Sequence, residues 1–342
     1  MSKLNRIATS MLTLPGAGRF VLAPLARRGY RHYRSSGHTP HSGYVAMRKL
    51  YAADPDAFER LVEVSQSEHP LLVLPAQPEG LFRDVDAAVT ALEGDGMYLL
   101  PDLLADDVCA RLTDIAASAE CTLVGEHVAP GTRGRFDAAR VVAPRYDVDE
   151  ETLLRSPDVQ RLMCDESLLA VAQRYLRAAP VQDLVAMWWS AAVPGAASSV
   201  AAQKFHFDLD RLRFLKVFVY LTDVDERTGP HVFVRGTHVS LPAAFRRDRR
   251  QEDDDVETTF GASVSTITGP RGTVFLADTR ALHKGMAVER EHRLVFQMEY
   301  ASSLFGTSCA RVDLESVAPE LAHALSMYPA TFARFDVRTP AP

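Results

Sequence analysis

From Leu184 onward the chain runs in short apolar or alternating stretches, punctuated at Pro194-Gly195, Gly229-Pro230, Gly269-Pro270 and Gly306. This is the spacing of short strands joined by turns. The clearest strand is Arg293–Tyr300, where Leu294, Phe296, Met298 and Tyr300 alternate with Arg293, Val295, Gln297 and Glu299. A two-residue period places these sets on opposite faces. The apolar face belongs on a core, while the polar face either lines a site or meets solvent. In Lys216–Leu221 the same period puts Lys216 beside Phe218 and Tyr220. That lysine either points into the sheet interior or stands exposed at a strand start. Trp188 and Trp189 send their rings to opposite faces, one of them inward to wall a pocket or fill the core.

Upstream the period changes to that of helices. Phe58, Leu61, Val62 and Ser65 share one stripe of Ala57–Ser65, with Asp54-Pro55 as its start and His69-Pro70 as its stop. Val108, Leu112, Ile115 and Ala119 do the same over Asp106–Ala119. Ser156–Arg177 reads as a third helical region, and Gly96–Pro101 as a strand before the second helix. Many short strands closing into two sheets avoid open edges, so the predicted fold is mainly β with flanking helices around a jelly-roll core. Arg246–Glu257, four arginines followed by five acids, interrupts the strands. It reads as a solvated loop or as a lid over a site.

Composition adds few constraints. At 342 residues, 47% hydrophobic, the chain can bury a large core, and no apolar run reaches the length of a membrane span. Cys109, Cys121, Cys164 and Cys309 form no C-x-x-C pair, which argues against a zinc knuckle or disulfide framework and for a reducing cytoplasm. Charge is uneven: residues 1–53 hold nine of the 38 Lys and Arg and none of the 44 acids, leaving the remainder at −15. This basic arm reads as a transit peptide, a membrane-surface anchor or a packed segment, and Pro15, Gly16, Gly18, Arg19 and Pro24 break up its apolar stretches against a secretory signal. The acidic body and the lack of stacking aromatics in the arm exclude nucleic-acid recognition.

The candidate chemistry lies in His206-Phe-Asp208, with His283 and Arg293 downstream. Residues i and i+2 of an extended segment point the same way and can ligate one metal together. Two histidines and one carboxylate form the facial set that binds iron(II) and leaves positions open. Around them stand Gln203–Asp208, Phe214–Asp223, Gly229–His238 with its G-P-x-x-x-x-x-G-T-H pattern, and Asp278–Gly285. In this order the blocks resemble the phytanoyl-CoA dioxygenase-like group of iron(II)/2-oxoglutarate oxygenases, over about residues 91 to 306.

The resemblance implies a double-stranded β-helix (cupin-like jelly roll), with His206, Asp208 and His283 as catalytic iron ligands. Arg293 would hold the distal carboxylate of 2-oxoglutarate, a task suited to a planar, permanently charged fork. Arg290 and His292 are close decoys. Relatives carry Ser or Thr two residues after the second histidine, where this chain has Gly285, and Lys216 is the candidate to fill in. With O2 as second co-substrate, the implied reaction releases succinate and CO2 while oxidising a small-molecule or lipid- or sugar-linked substrate, most simply by hydroxylation. Residues 1–53 are thus an N-terminal arm, with peripheral membrane contact as one reading, and 54–342 a single oxygenase domain. His231, Asp210, Arg211 and Arg213 are candidate substrate contacts, with surface ion pairing the more ordinary account of the last three, and His238 reads as a turn residue. The rivals are a cupin-like isomerase or hydrolase without redox chemistry, and a binding protein with a degenerate site.

Overall fold

The computed structural model describes residues 18–193 and 200–337. The turn expected at Pro194-Gly195 and the first part of the basic arm, residues 1–17, lie outside them. In chain order the described strands are β1 (Met97–Leu99), β2 (Cys121–Val124), β3 (Arg133–Gly134), β4 (Arg145–Val148), β5 (Val181–Ala191), β6 (Phe214–Tyr220), β7 (His231–Val234), β8 (Val264–Ile267), β9 (Val274–Ala277), β10 (His283–Gly285), β11 (His292–Ala301), β12 (Val312–Leu314) and β13 (Phe335–Val337). An eight-stranded sheet in the order β1-β9-β6-β11-β5-β4-β2-β3 packs against a three-stranded sheet, β10-β7-β8. All pairings within these two sheets are antiparallel.

Trp188, Phe218, Tyr220, Phe275 and Val295 of the larger sheet meet Phe233 and Ile267 of the smaller one in a shared core. The molecule is a jelly roll flanked by helices. On the outer face of the larger sheet, Leu294, Phe296, Met298 and Tyr300 pack with residues of the helices Val85–Asp95, Asp106–Ser118, Pro157–Met163 and Glu166–Leu176. The apolar side of β11 therefore faces the helices and its polar side faces the interior. Arg293, Gln297 and Glu299 are all buried, so the solvent reading of that face is excluded. Trp188 turns inward, while Trp189 turns outward and stacks on Phe136 at 4.4 Å.

The helices Ala23–Ser36, His41–Ala53 and Pro55–Gln66 cover the other side of the smaller sheet, with Tyr30, Met47, Leu50 and Phe58 sharing a cluster with Phe205, Phe207, Val232 and Val234. The first two cross at Gly29 and Gly43. A Cβ on Gly29 would lie 2.6 Å from the Gly43 Cα, so the close approach requires glycine.

Helix Pro55–Gln66 begins as expected, with Asp54 Oδ1 accepting the Ala57 N–H at 3.0 Å. The helical region Ser156–Arg177 consists of two helices, Pro157–Met163 and Glu166–Leu176. Asp165 opens the second by accepting the Leu168 N–H at 3.0 Å, which breaks the stripe. Of Arg246–Glu257, the last five residues enter a helix, Asp253–Phe260.

Candidate metal centre

His206 lies outside the named strands but forms an antiparallel bridge with His283 at the head of β10. Its N–H donates to the His283 carbonyl at 2.9 Å, and the reverse bond is 2.8 Å. The Asp208 N–H is held by the Thr279 carbonyl at 2.8 Å. This backbone clamp brings His283 alongside His206 and Asp208, its distant partners in sequence. One ligand atom from each of His206, Asp208 and His283 lies within 4.8 Å of the others. The closest ring approaches to the carboxylate are 3.7 Å from His206 Nε2 and 3.5 Å from His283 Nε2.

The tautomers follow from the hydrogen bonds. His206 Nδ1 faces the Lys204 carbonyl at 2.9 Å and His283 Nδ1 faces the Ala281 carbonyl at 3.0 Å. A carbonyl only accepts, so each Nδ1 carries the proton and each Nε2 presents a lone pair to the centre. Burial, with His283 adding to it, pushes the His206 pKa down to about 3, and burial also lowers His283. Both rings are neutral at pH 7, the state a metal requires. Burial opposes ionisation of Asp208, yet the Lys216 ammonium and then the two imidazoles outweigh it and hold the carboxyl well below its usual range.

Lys216 does point inward, and its Nζ donates to Asp208 Oδ2 at 2.7 Å, with Glu299 Oε2 at 3.5 Å. Burial alone would weaken this ammonium, but Asp208 and Glu299 raise its pKa. Burial drives the Glu299 carboxyl well above its ordinary value.

A cavity of about 220 Å³ is lined by the three clustered residues and by Lys216, His231 and Arg293, among others. Arg293 is 3% exposed and has no carboxylate partner among the described residues. Its Nη2 donates to Ser190 Oγ at 3.2 Å, while Nε and Nη1 are unmatched. Burial lowers its pKa to about 10, so it remains charged at neutral pH. Gly285 leaves the space beside it: a Cβ there would lie 3.2 Å from Arg293 Nη2. His231 pairs with Gly285 directly across β7 and β10, and its Nδ1 contacts the Tyr220 hydroxyl at 3.1 Å. Ser190 escaped the sequence reading because only the pairing of β5 with β11 sets it opposite Arg293.

The other candidates fall elsewhere. Arg290 is exposed and paired with Asp225, and His292 packs against Phe136 and Trp189. Arg211 is buried, with Nε 2.6 Å and Nη2 2.7 Å from the Asp183 carboxylate, so the surface-pair and substrate readings both give way to a structural one. Asp210 lies 3.9 Å from Arg48, and Arg213 stacks over Tyr175. His238 and Arg213 line a separate cavity of about 560 Å³. It is the larger of the two, but it contains none of the clustered ligands, and donor chemistry outweighs size in locating the centre. Gln251 is buried and bridges to Phe205, the neighbour of His206 in sequence, and no residue of Arg246–Gln251 lines the cavity.

The family model for phytanoyl-CoA dioxygenase (PhyH) matches residues 92–291. The chain belongs to the phytanoyl-CoA dioxygenase family. It is thereby placed among iron/2-oxoglutarate-dependent enzymes, with Arg293 just beyond the matched stretch. No curated protein matches the sequence. Among solved structures, AviO1 from Streptomyces viridochromogenes Tue57 is 18% identical, with 66% of this chain and 98% of that one covered at a TM-score of 0.45. HygX from Streptomyces hygroscopicus, with nickel and 2-oxoglutarate bound, is 14% identical, covering 69% and 92% at 0.44. EctD from S. alaskensis, with bound Fe, is 18% identical, covering 68% and 83% at 0.44. Among the described residues of this family member, no helix is long and apolar enough to cross a membrane.

Proposed function

We propose that this protein is an iron(II)/2-oxoglutarate-dependent oxygenase that hydroxylates a small-molecule or lipid- or sugar-linked substrate. The observation that carries this reading is the convergence of two neutral Nε2 atoms and one carboxylate beside a buried, unneutralised arginine in one cavity. The donor set suits iron(II), and the arginine suits a dicarboxylate. When bound, the metal and co-substrate supply the oxidation: 2-oxoglutarate, O2 and R–H become succinate, CO2 and R–OH.

The chain supplies position and charge. His206, His283 and Asp208 hold the metal. Lys216 occupies Asp208 Oδ2, leaving Oδ1 the freer donor. Arg293 takes the distal carboxylate, and Ser190 is suited to stand in for the hydroxyl that relatives carry at the position of Gly285. Lys216 serves Asp208 instead of that carboxylate. Leu184, Ala186 and Trp188, at alternate positions of β5, offer an apolar wall to the substrate. The acid-free segment 1–53 is proposed to make a peripheral contact with anionic membranes.

Incubation of the iron(II) protein with 2-oxoglutarate, O2 and a metabolite panel, read by mass spectrometry, tests the reaction type. Gain of one oxygen by one metabolite with matching succinate is expected. Loss of two hydrogens, or an unchanged mass with succinate formed, would replace hydroxylation by desaturation or rearrangement.

A further inference from the structure

A second feature stands far from the metal chemistry in composition and form. The helices Ala23–Ser36 and Pro55–Gln66 enclose a surface pocket of about 450 Å³ lined by Ala23, Pro24, Arg27, Arg31, Ala57 and Arg60. All three arginines are exposed, and none is ion-paired among the described residues. No acid lines the pocket. Along the helix of Arg60, Asp56 and Glu63 make no ion pair with it, and the adjacent Glu59 turns to Arg280 at 3.6 Å. Other surface arginines, such as Arg111, Arg133, Arg155 and Arg161, sit against carboxylates. In a chain of net charge −6, three guanidiniums without ion pairs around one hollow concentrate positive charge of the kind that suits a phosphate.

The same helical end carries an unusual apolar tip. Phe20 is 81% exposed, Val21 40% and Leu25 41%. Single exposed apolar residues are ordinary, but three together beside a basic pocket match the surface of a protein that lies on a bilayer. The platform is rigid, because Ala26, Gly29 and Tyr30 bury the opposite side of the helix and Gly29 locks against Gly43. Residues 1–17 add Lys3 and Arg6 and no acid, so they extend the positive charge and cannot neutralise it.

We infer that this surface docks on anionic membranes, with Arg27, Arg31 and Arg60 holding a lipid phosphate headgroup while Phe20, Val21 and Leu25 enter the acyl boundary. A free phosphate compound would satisfy the pocket but leave the apolar tip in water, which selects the lipid. The inference builds on the peripheral contact proposed above and is independent of the iron site.

The test is co-sedimentation of the full chain with phosphatidylcholine vesicles, with and without phosphatidylglycerol, at low and high salt. Binding only to the phosphatidylglycerol vesicles, weakened by salt, is expected. The triple variant Arg27→Gln, Arg31→Gln, Arg60→Gln should lower partitioning about a hundredfold, roughly fivefold per arginine near the surface. Phe20→Ser with Leu25→Ser should also lower it, yet leave binding of soluble glycerol phosphate, read by calorimetry, unchanged. All five positions are exposed, so melting temperatures should hold. If the protein ignores both vesicles, the membrane contact and the pocket fall together. If it binds but the triple variant binds equally well, or only removal of residues 1–17 abolishes binding, the pocket assignment is overturned and the membrane contact stands. If the serine variant sediments as the wild type does, the insertion of Phe20 and Leu25 is overturned and the arginines alone carry the contact.

Discussion

Replacing Arg293 by methionine should separate two effects of opposite sign. The guanidinium is 3% exposed, has two unmatched nitrogens and shares its cavity with no carboxylate except Asp208, which Lys216 already engages. A buried charge without a counter-ion costs stability, so the metal-free, ligand-free variant should melt at the same temperature or higher. Binding of 2-oxoglutarate should change the other way. Loss of a charge-assisted, forked hydrogen bond costs about 2–4 kcal/mol, equivalent to a roughly thirty- to thousandfold weaker Kd. The assay is anaerobic titration of the iron(II) protein with 2-oxoglutarate, followed by the metal-to-ligand absorption band, with thermal melting of the free protein alongside. An affinity within about threefold of wild type would refute the role of Arg293. A sharp drop in the melting temperature of the free variant would refute the argument that the arginine is uncompensated.

Lys216→Met should destabilise the metal-free protein by about 2–4 kcal/mol, because a largely buried Asp208 charge loses its partner, and added iron(II) should recover more of the melting temperature than it adds to wild type; equal losses with and without metal would contradict this pairing. Acidification should destabilise the metal-free protein through His206: its folded pKa of about 3 lies below the unfolded value, so the unfolded chain binds more protons and stability falls as pH drops below about 6.5, continuing to about 3. Denaturation across pH should show a steeper loss for wild type than for His206→Asn, and identical slopes would remove His206 as the cause. Because Asp208 occupies the carboxylate position and adds negative charge against a further anion, product formed in chloride or bromide buffer should carry no halogen, and a halogenated product by mass spectrometry would overturn Asp208 as an iron ligand.

The pairing of His206 with Asp208 was legible because it is local. His206 and Asp208 lie two residues apart, and the alternation of β11 already separates Arg293, Gln297 and Glu299 from the apolar face. The direction of that polar face was not legible: it depends on which sheet face the helices cover, a long-range outcome. The partner of Lys216 was equally hidden, since strand period gives a side and not a neighbour. The helix Ala23–Ser36 went unread because the face it buries, Ala23, Ala26, Gly29 and Tyr30, offers little apolar side chain to count; His41–Ala53 does bury a stripe, Ala46, Met47, Leu50 and Tyr51, that was passed over. Asp165 shows the reverse case, a local cap overruling an apolar stripe that would otherwise run unbroken from Val159 to Leu176.

The central claim is that this centre activates O2 with 2-oxoglutarate, and isotopic labelling tests it most directly. Iron(II) protein supplied with 2-oxoglutarate under 18O2 should yield succinate carrying one 18O atom, with the yield abolished in Asp208→Ala. Succinate without label, or no succinate under any metabolite offered while iron remains bound, would contradict the account and favour a metal protein without redox chemistry.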